Sequence, residues 1–170
     1  EGECYEYSLG LNGLGACATQ YSSEYMDVEV KRDGFRYTLH FEHGENIGGL
    51  QKEPYAKKDT GTVVRWKPDL QVFTDIAVPT GYFRDVLKRQ AIGNPGVLFV
   101  LRDQHGREFE TEEFRYENGI ADYVRGLAGE EALTGIQVWT AERRGRDRAD
   151  KPEYKVRLHV AWCCSNRTSL

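Results

Sequence analysis

A chain of 170 residues, 39% hydrophobic and 29% charged, is sized for one domain or two small ones and carries enough apolar material for a packed core. Its formal net charge of -4 excludes a chain that holds nucleic acid through a general positive field, and no apolar run approaches the roughly 18 residues of a membrane span. The opening Glu1-Gly2-Glu3-Cys4-Tyr5 is too acidic and polar for a signal peptide, and with Met26 the only methionine the start reads as a cut or processed end.

Residues 1–12 read as a loop rich in glycine and polar groups. Leu14, Cys17, Ala18, Tyr21 and Tyr25 recur at three to four residues, which predicts a helix from Gly13 to about Tyr25. The period then drops to two. Met26, Val28 and Val30 alternate with Asp27, Glu29 and Lys31, and Phe35, Tyr37, Leu39 and Phe41 alternate with Arg36, Thr38 and His40. With Asp33-Gly34 between them as a turn, this is a β-hairpin with one apolar face. Residues 44–59, with Gly48-Gly49, Pro54 and several lysines, read as a connection that is partly extended. Thr60–Lys67 is the next strand, stopped by Pro68. A helix follows over Thr80–Ile92, with Phe83, Val86, Leu87 and Ala91 on one face, and Asn94-Pro95-Gly96 is a turn. Val97–Arg102 and Glu108–Tyr116 form a second hairpin, and Asn118 is placed to cap a short helix carrying Ile120, Tyr123, Val124 and Leu127. Gly135–Glu142 and Tyr154–Trp162 are the last strands, so 128–134 marks a boundary between two units.

Three features have bland readings beside sharper ones. The run Arg143-Arg144-Gly145-Arg146-Asp147-Arg148 reads as a solvated hairpin loop, with a phosphate contact as the alternative. Cys4, Cys17, Cys163 and Cys164 show no framework spacing and fit a reducing cytoplasm. His40 and His43 lack a third ligand, so no metal site is assigned.

The most informative motif is Ser8-Leu9-Gly10-Leu11-Asn12-Gly13-Leu14-Gly15 leading into a helix. Glycines let the backbone approach a ligand closely, and a helix start offers unpaired N–H groups and the positive end of the dipole. The G-x-x-G-x-G spacing is neither the dinucleotide fingerprint nor a Walker A loop, so the motif alone leaves plain loop chemistry open.

Tyr5–Ser22 resembles the third nucleotide-binding motif of the ATPase superfamily containing gyrase, Hsp90, histidine kinases and MutL. Three more segments resemble the B-type chains of the type IIA topoisomerases in order: Arg32-Asp33-Gly34 with Phe41-Glu42-His43-Gly44; Asp59-Thr60-Gly61-Thr62 through Asp69 with Phe73; and Tyr116-Glu117-Asn118-Gly119-Ile120. The resemblance is strong over residues 5–128 and fades through the final strands. It implies an α+β fold, with a mostly antiparallel sheet covered by helices on one face: residues 1–128 as the C-terminal half of the ATPase domain, and 129–170 as the start of an α/β transducer domain.

The same resemblance implies that Gly10, Leu11, Asn12, Gly13, Leu14 and Gly15 contact the ATP phosphates, that Tyr5 touches the adenine, that Thr62 helps fix the ring, and that Arg32 stands near the pocket mouth. Asn12 stands where relatives commonly carry His, and Leu9 where they commonly carry Gly. The glutamate base, the magnesium-holding asparagine and the adenine-reading aspartate would fall upstream of Glu1, and the transducer lysine after Leu170. No catalytic residue and no metal ligand is thus expected in this chain, and the chain alone is expected to be inactive. The implied cofactors are ATP and Mg. The implied partners are DNA through the parent protein, a topoisomerase A-type chain and a second copy of the ATPase region, with no membrane. Two rivals stand beside this: another member of the superfamily, Hsp90-like or MutL-like, and a non-enzymatic β-rich interaction module.

Overall fold

The computed structural model describes residues 13–146, 148–150 and 153–166. The fold class is α+β as expected, with antiparallel sheets and three α-helices among the described residues. The strands are divided among three sheets, one of four strands and two of two. The chain separates into two compact units after Ala77. Within the second unit the helix ending at Ala128 packs against the last strand.

The first unit opens with helix α1, Leu14–Tyr21. It is shorter than its apolar period suggested, because Ser22 leaves helical geometry and its hydroxyl turns back to the Ala18 carbonyl at 2.7 Å. Strand β1, Ser23–Arg32, then pairs antiparallel with β2, Phe35–Glu42, on one side and with β4, Gly61–Pro68, on the other. β3, Glu45–Pro54, completes the order β3-β2-β1-β4.

β3 corrects the reading of 44–59 as a connection. Its period was hidden by Gly48 and Gly49, both at positive φ, which slip the register between Thr38 and His40 of β2. Every residue of β3 is also exposed, so no buried face imposed an apolar alternation.

The register sorts the sheet into two faces. Met26, Val28 and Val30 stand with Phe35, Tyr37, Leu39 and Phe41 and with Thr62, Val64 and Trp66. Lys52 joins that face from β3, its ammonium over the rings of Phe35 at 3.9 Å and Tyr37 at 5.4 Å. The opposite face is charged: Lys31 pairs with Glu29 and Asp59, and Arg36 with Glu53. At the register shift near Ser23, Lys67 reaches Glu24. Among the described residues, only Met26 is buried of the large apolar side chains, and on β4 Val64 and Trp66 remain 48% and 44% exposed.

The second unit holds α2, Thr80–Gly93, against the hairpin β5, Phe99–His105, and β6, Glu108–Phe114. The helix is tied to the hairpin at two points: Thr80 Oγ1 donates to Asp103 at 2.6 Å, and the Arg84 guanidinium forks onto both oxygens of Glu112. α3, Ile120–Ala128, packs on α2 and on β8 of the hairpin β7, Gln137–Gly145, and β8, Tyr154–Trp162. Ala91, Ala121 and Ala128 are this unit's buried apolar residues. Asn118 does not cap α3. Gly119 holds the N-cap position, and Asn118 instead donates from its backbone and side chain to Asp122.

Candidate functional site

Of the nine residues singled out for nucleotide contact, Tyr5, Gly10, Leu11 and Asn12 lie outside the described residues. Gly13, Leu14 and Gly15 form the start of α1. Gly13 is the N-cap at φ 71°, a left-handed geometry that favours glycine. Among the described residues, no side chain caps this helix start. A Cβ built at Gly13 or Gly15 meets nothing within 4 Å, and Leu14 is exposed. The first-turn N–H groups have no intrahelical acceptor. Open glycines beside donors that lack an intrahelical acceptor fit an anion such as a phosphate, which needs close access to backbone N–H groups.

Arg32 and Thr62 come together on one face. Thr62 stands opposite Val30, and Arg32 follows two residues along β1, which makes the two diagonal neighbours on the apolar face. Thr62 is exposed, so burial places no demand on its hydroxyl. Arg32 is exposed as well, and its Nε donates to Asp33 at 3.0 Å. α1 leads into β1, the strand that carries Arg32 and pairs with the strand carrying Thr62.

The sequence reading missed what surrounds the other end of α1. Asp69, just beyond β4, is 6% exposed. Its Oδ2 accepts from His43 Nδ1 at 2.6 Å and its Oδ1 from the Gln71 N–H at 2.8 Å. Its own N–H donates to the Ser22 carbonyl at 3.0 Å, and its carbonyl accepts from Val72 and Phe73. The Gln71 N–H first, then the His43 ring, hold the Asp69 carboxyl below the usual carboxylate range against the opposing effect of burial. His43 sits in the β2–β3 turn at φ 45°, and its N–H donates to the Glu24 carbonyl at 3.1 Å. Gly44 beside it, at φ 86°, admits the Tyr21 ring, which would stand 2.3 Å from a Cβ there. Gln20 Nε2 donates to the Gly44 carbonyl at 2.7 Å. The segment Phe41–Gly44 and the Asp69 end of Asp59–Asp69, met in the sequence as separate motifs, thus converge at the C-terminal end of α1.

The two histidines serve different carboxylates. His40, on the charged face, points Nδ1 at Asp27 at 2.7 Å and Nε2 at Glu42 at 3.3 Å. Two acceptors on one ring favour the imidazolium, and Asp27 first, then Glu42, raise its pKa above the ordinary value. Among the described residues, no group of three or more His, Cys, Asp or Glu could hold a metal ion. Among the same residues, no helix is long and apolar enough to cross a membrane.

No family model matches the chain. The chain is 31% identical over 161 residues to the DNA gyrase B protein of Synechocystis, covering 94% of this chain and 14% of that protein. It is 33% identical over 143 residues to the DNA topoisomerase 4 B protein of Enterococcus faecalis, covering 83% of this chain and 21% of that one. The crystal structure of the 43K ATPase domain of Thermus thermophilus gyrase B in complex with an aminocoumarin is similar at a TM-score of 0.66 and 29% identity, over 81% of this chain and 37% of that one. The chain spans about a fifth or less of the length of these curated relatives.

Proposed function

We propose, from the premise that this chain is related to the B-type chains of DNA gyrase and topoisomerase IV, that it forms part of the ATP-binding region of a type II DNA topoisomerase. In this reading Gly13, Leu14 and Gly15, with Tyr5, Gly10, Leu11 and Asn12 before them, cradle the triphosphate, while Thr62 and Arg32 serve the adenine and the pocket mouth. The observation that carries it is the start of α1: uncapped, left-handed at Gly13 and open at Gly13 and Gly15, and continuous with the sheet that holds Thr62 and Arg32 together.

The parent protein would couple ATP binding and hydrolysis to passage of one DNA duplex through another, working with an A-type chain and through dimerisation of its ATPase regions. Residues 129–170 would begin the transducer. A general base must reach the attacking water, and no carboxylate in the described residues is placed at the glycine start to do so. The chain by itself therefore does not turn ATP over, and without the adenine-reading aspartate that the resemblance places elsewhere it binds ATP weakly. Magnesium-dependent ATP hydrolysis should be absent from the purified 170-residue chain and present in the full-length protein. Turnover by the chain alone would contradict the assignment of the base to another segment.

The fold and relatives favour a topoisomerase B-type chain over a non-enzymatic module or an Hsp90-like or MutL-like ATPase.

A further inference from the structure

The two ends of α1 are held very differently. Its last turn is fixed by the Asp69 N–H on the Ser22 carbonyl, the Gln20 amide on the Gly44 carbonyl, the Ser23 hydroxyl on the Thr19 carbonyl at 2.6 Å, and the Tyr21 ring on Gly44. Its first turn, among the described residues, makes hydrogen bonds only within the helix, through Cys17 to Gly13 and Thr19 to Gly15. No residue of α1 is buried, so its described packing is confined to the last turn, at the Tyr21 ring. We propose that His43 and Asp69 are positioning residues: their hydrogen bond clamps the C-terminal end of α1 to the β2–β3 turn and so sets where Gly13 and Gly15 at the far end can stand.

The physical reason is leverage. Asp69 touches Ser22 through its backbone and His43 through its side chain, so one nearly buried residue joins the end of α1, the β2–β3 turn and the exit of β4. Eight residues of α-helix span about 12 Å, so a tilt of roughly 10° at the clamp moves the other end by about 2 Å. That carries an N–H···O contact of about 2.9 Å beyond hydrogen-bond range. Loosening the clamp spreads Gly13 and Gly15 over positions of which few are competent. The apparent affinity for a phosphate-bearing ligand then falls by the competent fraction, while chemistry in molecules that do bind is unchanged.

The nucleotide part of this inference rests on the proposed function; the clamp itself does not. The test compares His43→Gly, His43→Asn and Asp69→Ala in the full-length protein. Glycine accepts the positive φ of His43 and removes the donor. Asparagine also tolerates that backbone and places an amide N–H where Nδ1 stood, so the pair separates the hydrogen bond from backbone strain. His43→Gly and Asp69→Ala should raise KM for ATP about tenfold with kcat within about twofold, and His43→Asn should restore KM to within about twofold of the parent. Without nucleotide, hydrogen exchange should quicken at residues 18–22 in the first two variants and stay unchanged through β1 and β2. A fall in kcat at constant KM would mean only a smaller folded fraction and would overturn the proposal. So would an asparagine variant as impaired as the glycine one, or unchanged exchange at 18–22. Should the parent protein show no ATP turnover, the proposed function fails, while the exchange comparison still decides the clamp. If Asp69→Ala does not fold, the His43 pair carries the test.

Discussion

The two units bury different things. In the first, the buried positions gather where α1 meets β1, and most are polar or glycine: Ser23, Gly44 and Asp69, with Met26 beside them. In the second, among the described residues, they are Ala91, Ala121 and Ala128, small apolar residues on two packed helices, with Gly119 at the start of one of them. The first unit is held at one spot by directional hydrogen bonds, and its apolar sheet face stays open around Val64 and Trp66. The second depends on close approach of helix backbones, reinforced by a polar fork. Directional bonds fix the orientation of one attached helix, as the proposed phosphate contact requires; alanine contacts fix spacing alone.

That contrast can be broken, starting with its strongest point. Gly44→Val combines a strained positive φ with a collision against the Tyr21 ring and should destabilise the first unit by about 3 kcal/mol. Segment-resolved hydrogen exchange should quicken across β1–β4 and leave α2 and α3 unchanged; adding Tyr21→Ala should recover the collision part alone. Ala91→Leu should do the reverse. Ala91 has no exposed surface, so overpacking there should cost about 2 kcal/mol and register in the second unit alone. Arg84→Ala removes the fork on Glu112, whose carboxyl that guanidinium holds below its usual range. Both partners are partly exposed, so its effect on thermal melting should be smaller than that of Ala91→Leu.

The smallest effect is one of pH. His40 faces Asp27 on β1 and Glu42 on its own strand, with Arg65 across from Asp27 on β4. Its raised pKa means that its stabilising contribution is full below the ordinary value of 6.5 and is lost as pH rises through the raised one. Wild-type protein should therefore be more stable than His40→Gln at about pH 6, and melting curves should show that gap closing by about pH 9. A gap that stays constant would deny the charged pairing.

Much of this was legible in the chain. The alternation through Met26–Phe41 and Tyr154–Trp162 marked strands because each has one apolar face, and Asp33-Gly34 located the tight turn. β3 was not legible because a strand exposed along its whole length, with a two-glycine bulge, has no periodic face to display. The glycine start of α1 could be read from Gly13 and Gly15, since open backbone is written in residue type. The clamp could not: His43 and Asp69 lie 26 residues apart, and only the pairing of β2, β1 and β4 brings them together. The motifs Phe41–Gly44 and Asp59–Asp69 held the clue as separate segments whose meeting at His43 and Asp69 appears only in three dimensions.

The central claim is that the N–H groups opening α1 meet the phosphates of ATP. The direct measurement is hydrogen exchange of the full-length protein with and without a non-hydrolysable ATP analogue and magnesium. Slowed exchange in the segment through Leu14 and Gly15, at saturating analogue, is the result expected. Unchanged exchange there, while binding is confirmed by calorimetry in the same sample, would contradict it.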